Sequence, residues 1–103
     1  MKFKSSIIVN AGDVSAQITS TVIDMRFEYG LCYVATFTGA PSGAVLVEGS
    51  IDQATWVQID SKTISGTTPT SANLDAQYWP YMRISKAAGG TGSMTVKVCP
   101  KGA

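Results

Sequence analysis

Three groups of residues in this chain are of types that chemistry uses. They are the aspartates Asp52, Asp60 and Asp75, the cysteines Cys32 and Cys99, and the run Gly89-Gly90-Thr91-Gly92. Paired carboxylates would serve acid–base work or calcium, but these three stand singly, none within an Asp-x-Asp-x-Asp loop. Turn aspartates of this kind commonly bond their own backbone. The cysteines lie far apart, with no CxxC or metal-ligand spacing. Each falls in a predicted strand, where a cysteine reads first as a small buried hydrophobe, with a disulfide or a reactive thiol as alternatives. A phosphate cradle needs a strand, then glycines, then a helix N-terminus. Here a strand follows the glycines, so the run reads as a hairpin turn. The chain contains no histidine, which excludes Ser-His-Asp and Cys-His nucleophile systems, the usual catalytic zinc sites and a histidine pH switch. The expectation is no enzyme activity, no catalytic residue, no metal and no cofactor.

The aromatic residues carry the stronger signal. Tyr78, Trp79 and Tyr81 flank Pro80 within four positions. Exposed aromatics on a β-sandwich stack on sugar rings, and the same residues are enriched at protein interfaces. Trp56 is read as the plug of the core, and Trp79 as either core or interface. Charge narrows the partners further. Eight Lys and Arg against seven Asp and Glu leave a net charge of +1, and charged residues make up only 15% of the chain. The cations are spread singly, so no basic footprint for nucleic acid exists. No apolar run approaches the ~18–20 residues of a spanning helix, so membrane insertion is not expected. Met1 to Ser6 begins like a basic leader. Asn10, Gly12 and Asp13 interrupt the apolar run that should follow, and the chain reads as unexported.

The elements that must position these residues are strands. A length of 103 residues allows one domain, 1–103, with a single modest core. Val, Ile, Thr, Tyr and Phe recur in short alternating runs with turn residues between them, and no sustained 3.6-residue pattern appears. The runs are Phe3–Val9, Val14–Ser20, Val22–Glu28, Leu31–Thr38, Ala44–Ile51, Thr55–Asp60, Tyr81–Ser85 and Ser93–Cys99. Tyr29-Gly30, Gly39–Gly43, Asp52–Ala54 and Ala87–Gly92 read as turns, and Ser61–Ala72 as a long surface loop with a short strand at Lys62–Ile64.

A resemblance adds to this reading. The order Phe37-Thr38-Gly39-Ala40-Pro41-Ser42-Gly43, then Val45-Leu46-Val47-Glu48-Gly49-Ser50-Ile51-Asp52-Gln53-Ala54-Thr55-Trp56, resembles a phage-associated β-sandwich family. Pro80-Tyr81-Met82-Arg83-Ile84, Gly90–Val96 and Lys101-Gly102 are similar to that family's closing strands. The Ser-x-Asp-x-x-x-Trp and Tyr-x-Arg-Ile elements also resemble discoidin-like jelly rolls, a group that binds sugars or lipids. Gln53 departs from both, since each commonly has Gly there. The resemblance implies a small structural subunit of a phage particle: minor capsid, decoration or fibre-associated. It would be made in the host cytoplasm and held in the virion.

Together these readings predict an all-β sandwich with jelly-roll-like connections and about eight strands. Trp56, Phe37, Val45, Val47, Ile84, Met94 and Val96 are assigned to the core. Tyr78, Trp79, Tyr81 and the arm residues Lys2, Phe3 and Lys4 are assigned to contacts. The expected partners are further copies of the chain and other virion proteins, with a surface glycan as the alternative. Val14–Ser20 and Ser93–Cys99, which carry the single charge of Lys97, are expected as unprotected sheet edges that favour self-association.

Overall fold

The computed structural model describes residues 5–75 and 79–102. Lys2, Phe3, Lys4 and Tyr78 therefore lie outside the described residues. The chain is all β. Strands β1 (Ser6–Asp13), β2 (Ile18–Thr19), β3 (Ile23–Asp24) and β4 (Glu28–Phe37) come first, followed by β5 (Ala40–Pro41), β6 (Ala44–Ser50) and β7 (Val57–Thr63). The chain continues through β8 (Thr70–Asp75), β9 (Tyr81–Lys86), β10 (Gly90–Thr91) and β11 (Ser93–Gly102). One sheet has the order β1-β11-β4-β8. The other has the order β2-β9-β6-β7, with β3 also paired to β9. Every pairing is antiparallel. Counting β2 and β3 as one interrupted edge, and setting aside the small β5–β10 pair, leaves eight principal strands. Apart from the β6–β7 hairpin, successive principal strands cross between the two layers, and the first and last are adjacent, as in a jelly roll.

Alternation of side chains explains the layering. In β4, Leu31, Tyr33, Ala35 and Phe37 point inward and are buried, while Cys32, Val34 and Thr36 face out. They meet Val45 and Val47 of β6, Met82 and Ile84 of β9, and Met94, Val96 and Val98 of β11, all buried. Trp56 is not among them. The core between the sheets is filled by aliphatic residues, Met, Tyr33 and Phe37. Trp56 lies beyond the end of β6, half-buried, in a loop that the sandwich does not cover.

Several element boundaries differ from the sequence expectation, each for a local reason. Asp13 Oδ1 accepts from the Ser15 N–H at 2.9 Å and its hydroxyl at 2.7 Å. This side-chain turn diverts Val14–Ala16, so only Ile18–Thr19 pairs. Of Val22–Glu28, Ile23–Asp24 pairs with β9 and Glu28 already opens β4, because the Glu28 N–H closes a turn on Met25 O at 3.1 Å between them. Tyr29-Gly30 continues β4 instead of turning it, and Ser61–Ala72 supplies the end of β7 and the start of β8. The expected edge strand Ser93–Cys99 is central: β11 pairs with β1 on one side and β4 on the other. One edge of each sheet is blunted, β1 by two register shifts and β2 and β3 by their length, while β8 and β7 form the other edges.

One end of the sandwich is built from polar loops that bond to each other. The Val14 N–H donates to Gly92 O, Gly89 N–H to Val14 O, and Ile64 N–H to Gly43 O. Lys86 is fully buried beneath them, its ammonium donating to Ala87 O at 2.9 Å, Gly89 O at 3.1 Å and Val14 O at 3.5 Å. Burial lowers its pKa. Gly92 sits here at a φ of 110°, with its α-carbon so close to the Thr38 carbonyl that any side chain would collide with it.

Candidate functional site

The opposite end carries the aromatics. Register brings its parts into one row: Asp24 of β3 opposes Tyr81 of β9, which opposes Ser50 of β6. Just beyond this row lie the turn carrying Arg26 and Phe27, the loop from Ile51 to Trp56, and Trp79. Phe27 is 83% exposed and Ile51 74%, with Val57 also exposed nearby.

The loop after β6 is built by the Ser-x-Asp-x-x-x-Trp element. Ser50 Oγ accepts from the Gln53 N–H at 2.8 Å and the Asp52 N–H at 3.2 Å. Its own hydroxyl donates to Asp52 Oδ1 at 3.1 Å. Asp52 Oδ1 in turn accepts from the N–H groups of Ala54 at 2.9 Å and Thr55 at 3.0 Å. Those backbone bonds, with the Ser50 hydroxyl, hold its pKa below the ordinary carboxylate value. The indole N–H of Trp56 donates to Gln53 O at 3.3 Å. The motif's polar residues are therefore spent on shaping the loop. Gln53 adopts a φ of 62°, a left-handed conformation that favours the glycine it replaces in the resembling families.

Two guanidinium groups lie over aromatic rings on this end. The Arg83 guanidinium carbon stands 4.2 Å from the centre of the Trp56 ring, and its Nε donates to Glu48 Oε1 at 2.8 Å. Arg83 and Glu48 are paired positions on β9 and β6, which puts both on the outer face. The Arg26 guanidinium lies 6.0 Å from the centre of the Tyr81 ring. It grips Asp24 with two bonds, Nε to Oδ1 at 2.9 Å and Nη2 to Oδ2 at 2.7 Å. These bonds hold the Asp24 pKa down at about 2. Each cation thus has its carboxylate, and Asp52 adds one further negative charge to an amphipathic surface. Such a surface is suited to packing against another flat apolar surface or a ring.

Trp79 faces the other way. It is half-buried and packs on the core, where a β-carbon added to Gly49 would come within 2.7 Å of its ring and 2.6 Å of Ile59. The structure thus separates the two tryptophans, with Trp79 against the core and Trp56 out on the platform. Tyr81 is half-buried beside Arg26. Sequence reasoning missed Arg83, Glu48, Arg26 and Phe27. Alternation through Tyr81-Met82-Arg83-Ile84 could have placed Arg83 beside Tyr81 on the outer face. Its pairing to Glu48 required the register. Of the residues first considered for chemistry, Cys32 and Cys99 face each other across β4 and β11, whereas Asp52 and Asp60 lie apart on the loop and on β7. Gly90-Thr91 forms β10, paired with Ala40-Pro41.

No family model matches the chain, and no curated protein matches it by sequence. Solved structures share its fold. The PBSX exported protein XepA aligns over 97% of this chain with a TM-score of 0.75 at 10% identity. This chain spans 37% of that protein's length. A Bacillus endospore appendage, from a family of disulfide-linked pili, aligns over 98% of this chain and 87% of its own, with a TM-score of 0.53 at 8% identity. The CBM32-1 module of a family 31 glycoside hydrolase from Clostridium perfringens aligns over 96% of this chain and 93% of its own, with a TM-score of 0.51 at 16% identity. At these identities the likeness is one of fold.

Proposed function

We propose that the chain is a non-catalytic structural subunit of an extracellular or virion assembly, acting through contacts between copies. The observation that carries this reading is the gathering of Phe27, Ile51, Val57 and the Trp56–Arg83 stack at one end of the sandwich. Exposed apolar surface gathered this way, beside half-buried aromatics and arginine, has the make-up of an interface. The two edges expected from sequence give less support, since Ser93–Cys99 is central and Val14–Ser20 pairs only at Ile18–Thr19. The contact is therefore assigned to the aromatic end. The shared fold with the PBSX exported protein and with an endospore appendage of a pilus family supports a structural role. Sedimentation across a concentration series tests this. Reversible association that is lost in the double variant Phe27→Ser/Ile51→Ser supports it, and a single monomeric species up to high micromolar concentration contradicts it.

One observation favours a second reading. The Trp56 ring, stacked on Arg83, is a surface on which a sugar ring could stack, and a carbohydrate-binding module shares the fold. Titration with oligosaccharides followed by tryptophan fluorescence separates the two readings. A saturable shift abolished in Trp56→Ala, with association unchanged, favours glycan recognition.

A further inference from the structure

On the outer face of the β1-β11-β4-β8 sheet, Cys32 of β4 stands directly opposite Cys99 of β11. Residues so paired project to the same face. Leu31, Tyr33 and Val98, on the inner face, are buried, whereas both cysteines are only partly covered. Both side chains carry thiols and line a shallow groove with Ser5, Val34 and Lys97. The Cys32 thiol donates to the Cys99 carbonyl at 3.7 Å.

We propose that Cys32 and Cys99 form a reversible cross-strand dithiol–disulfide site, oxidised by a low-molecular-weight disulfide. The Thr38 N–H bonds Ser93 O at 2.9 Å, and the β4–β11 register runs unbroken from Met94 to Lys101. Stepping in twos along it, Cys32 and Cys99 fall on a hydrogen-bonded pair, with α-carbons about 5.5 Å apart. That separation is inside the range a disulfide spans, roughly 4.4–6.8 Å. Their β-carbons, about 5 Å apart in such a pair, exceed the usual ~4 Å of a bridge. Closure must draw together two strands that β1 and β8 hold from either side, so the bond is strained and readily reduced.

The chemistry balances as two exchanges. One cysteine thiolate, its proton released to solvent, attacks a sulfur of the small disulfide RSSR and expels RS⁻. The second thiolate then attacks the sulfur of the first cysteine and expels the other RS⁻. The protein loses two electrons and two protons, and RSSR becomes two RSH. This site is independent of the aromatic end and of association there.

The test equilibrates the native full chain in glutathione buffers of rising oxidised-to-reduced ratio, followed by acid quench, alkylation of remaining thiols and mass measurement. The expected product is a monomer lighter by two hydrogens, with a peptide linking Cys32 to Cys99, reverting fully as reduced glutathione is restored. Cys32→Ser and Cys99→Ser are each expected to stop at a mixed disulfide with glutathione. Wild-type protein that ends as a mixed disulfide, as a disulfide-linked dimer or with both thiols unreacted would overturn the proposal. The wild-type mass decides the matter even if a variant folds poorly.

Discussion

Trp56 and Trp79 sit on opposite sides of the same end, and their energetics should differ accordingly. Trp79 packs on the core against Gly49, so Trp79→Ala removes a well-seated aromatic and should cost about 3 kcal/mol or more. Trp56 is outside the core and its main partner is Arg83, so Trp56→Ala should cost only about 1–2 kcal/mol. Denaturant midpoints of the two variants check this, and equal losses would contradict it. Tyr33 offers a pH test. Burial and the charge of Asp60 push its phenol up to about 12, and among the described residues neither its hydroxyl nor Asp60 Oδ2 has a hydrogen-bond partner. The unfolded phenol titrates near 10. The folded chain therefore holds a proton that the unfolded chain gives up. The associated stability is complete below about pH 10 and is lost as the pH rises through about 12. Lys86, with its pKa lowered by burial, works in the opposite sense but is present in both proteins. Urea titrations of wild type and Tyr33→Phe across this window should show a steeper alkaline decline in wild type. At neutral pH the variant should be as stable or more so, because no bond is lost.

At the scale of elements, the all-β class was legible because strand alternation is strong where one face is buried. Leu31–Phe37, Val45–Val47 and Met94–Val98 all show it, and their inward residues form the core. Strand order was not legible. Nothing local in Ser93–Cys99 distinguishes an edge from the middle of a sheet, because that depends on β1 and β4 finding it. Short edge segments were overextended for a similar reason: the Asp13 turn ends pairing early, and its bonds are visible only in three dimensions. The candidate site was half legible. The loop of Ser50–Trp56 is written in its motif, whereas the placement of Arg83 over Trp56 depends on the β6–β9 register. The same loop yields a prediction. Gln53 adopts a φ of 62°, which costs a non-glycine residue about 1–2 kcal/mol, partly offset by the chain entropy that glycine would add. Gln53→Gly should therefore stabilise the protein by up to about 1 kcal/mol in thermal or urea unfolding. A loss of stability would mean that the Gln53 side chain does more than its conformation suggests.

The whole molecule has two unlike ends. Carbonyl-rich turns tied to Lys86 close one, and the exposed Phe27 and Ile51 beside the Trp56–Arg83 stack form the other. The central claim is that copies meet through the second end. Hydroxyl-radical footprinting read by mass spectrometry tests it most directly, because Phe27 is both reactive and 83% exposed. Samples compared at dilute and concentrated conditions should show oxidation of Phe27, Ile51 and Trp56 falling as concentration rises, with exposed Val34 on the outer face of the other sheet unchanged. Unchanged oxidation at Phe27 in a sample that has associated, with protection at Val34 instead, would contradict the account.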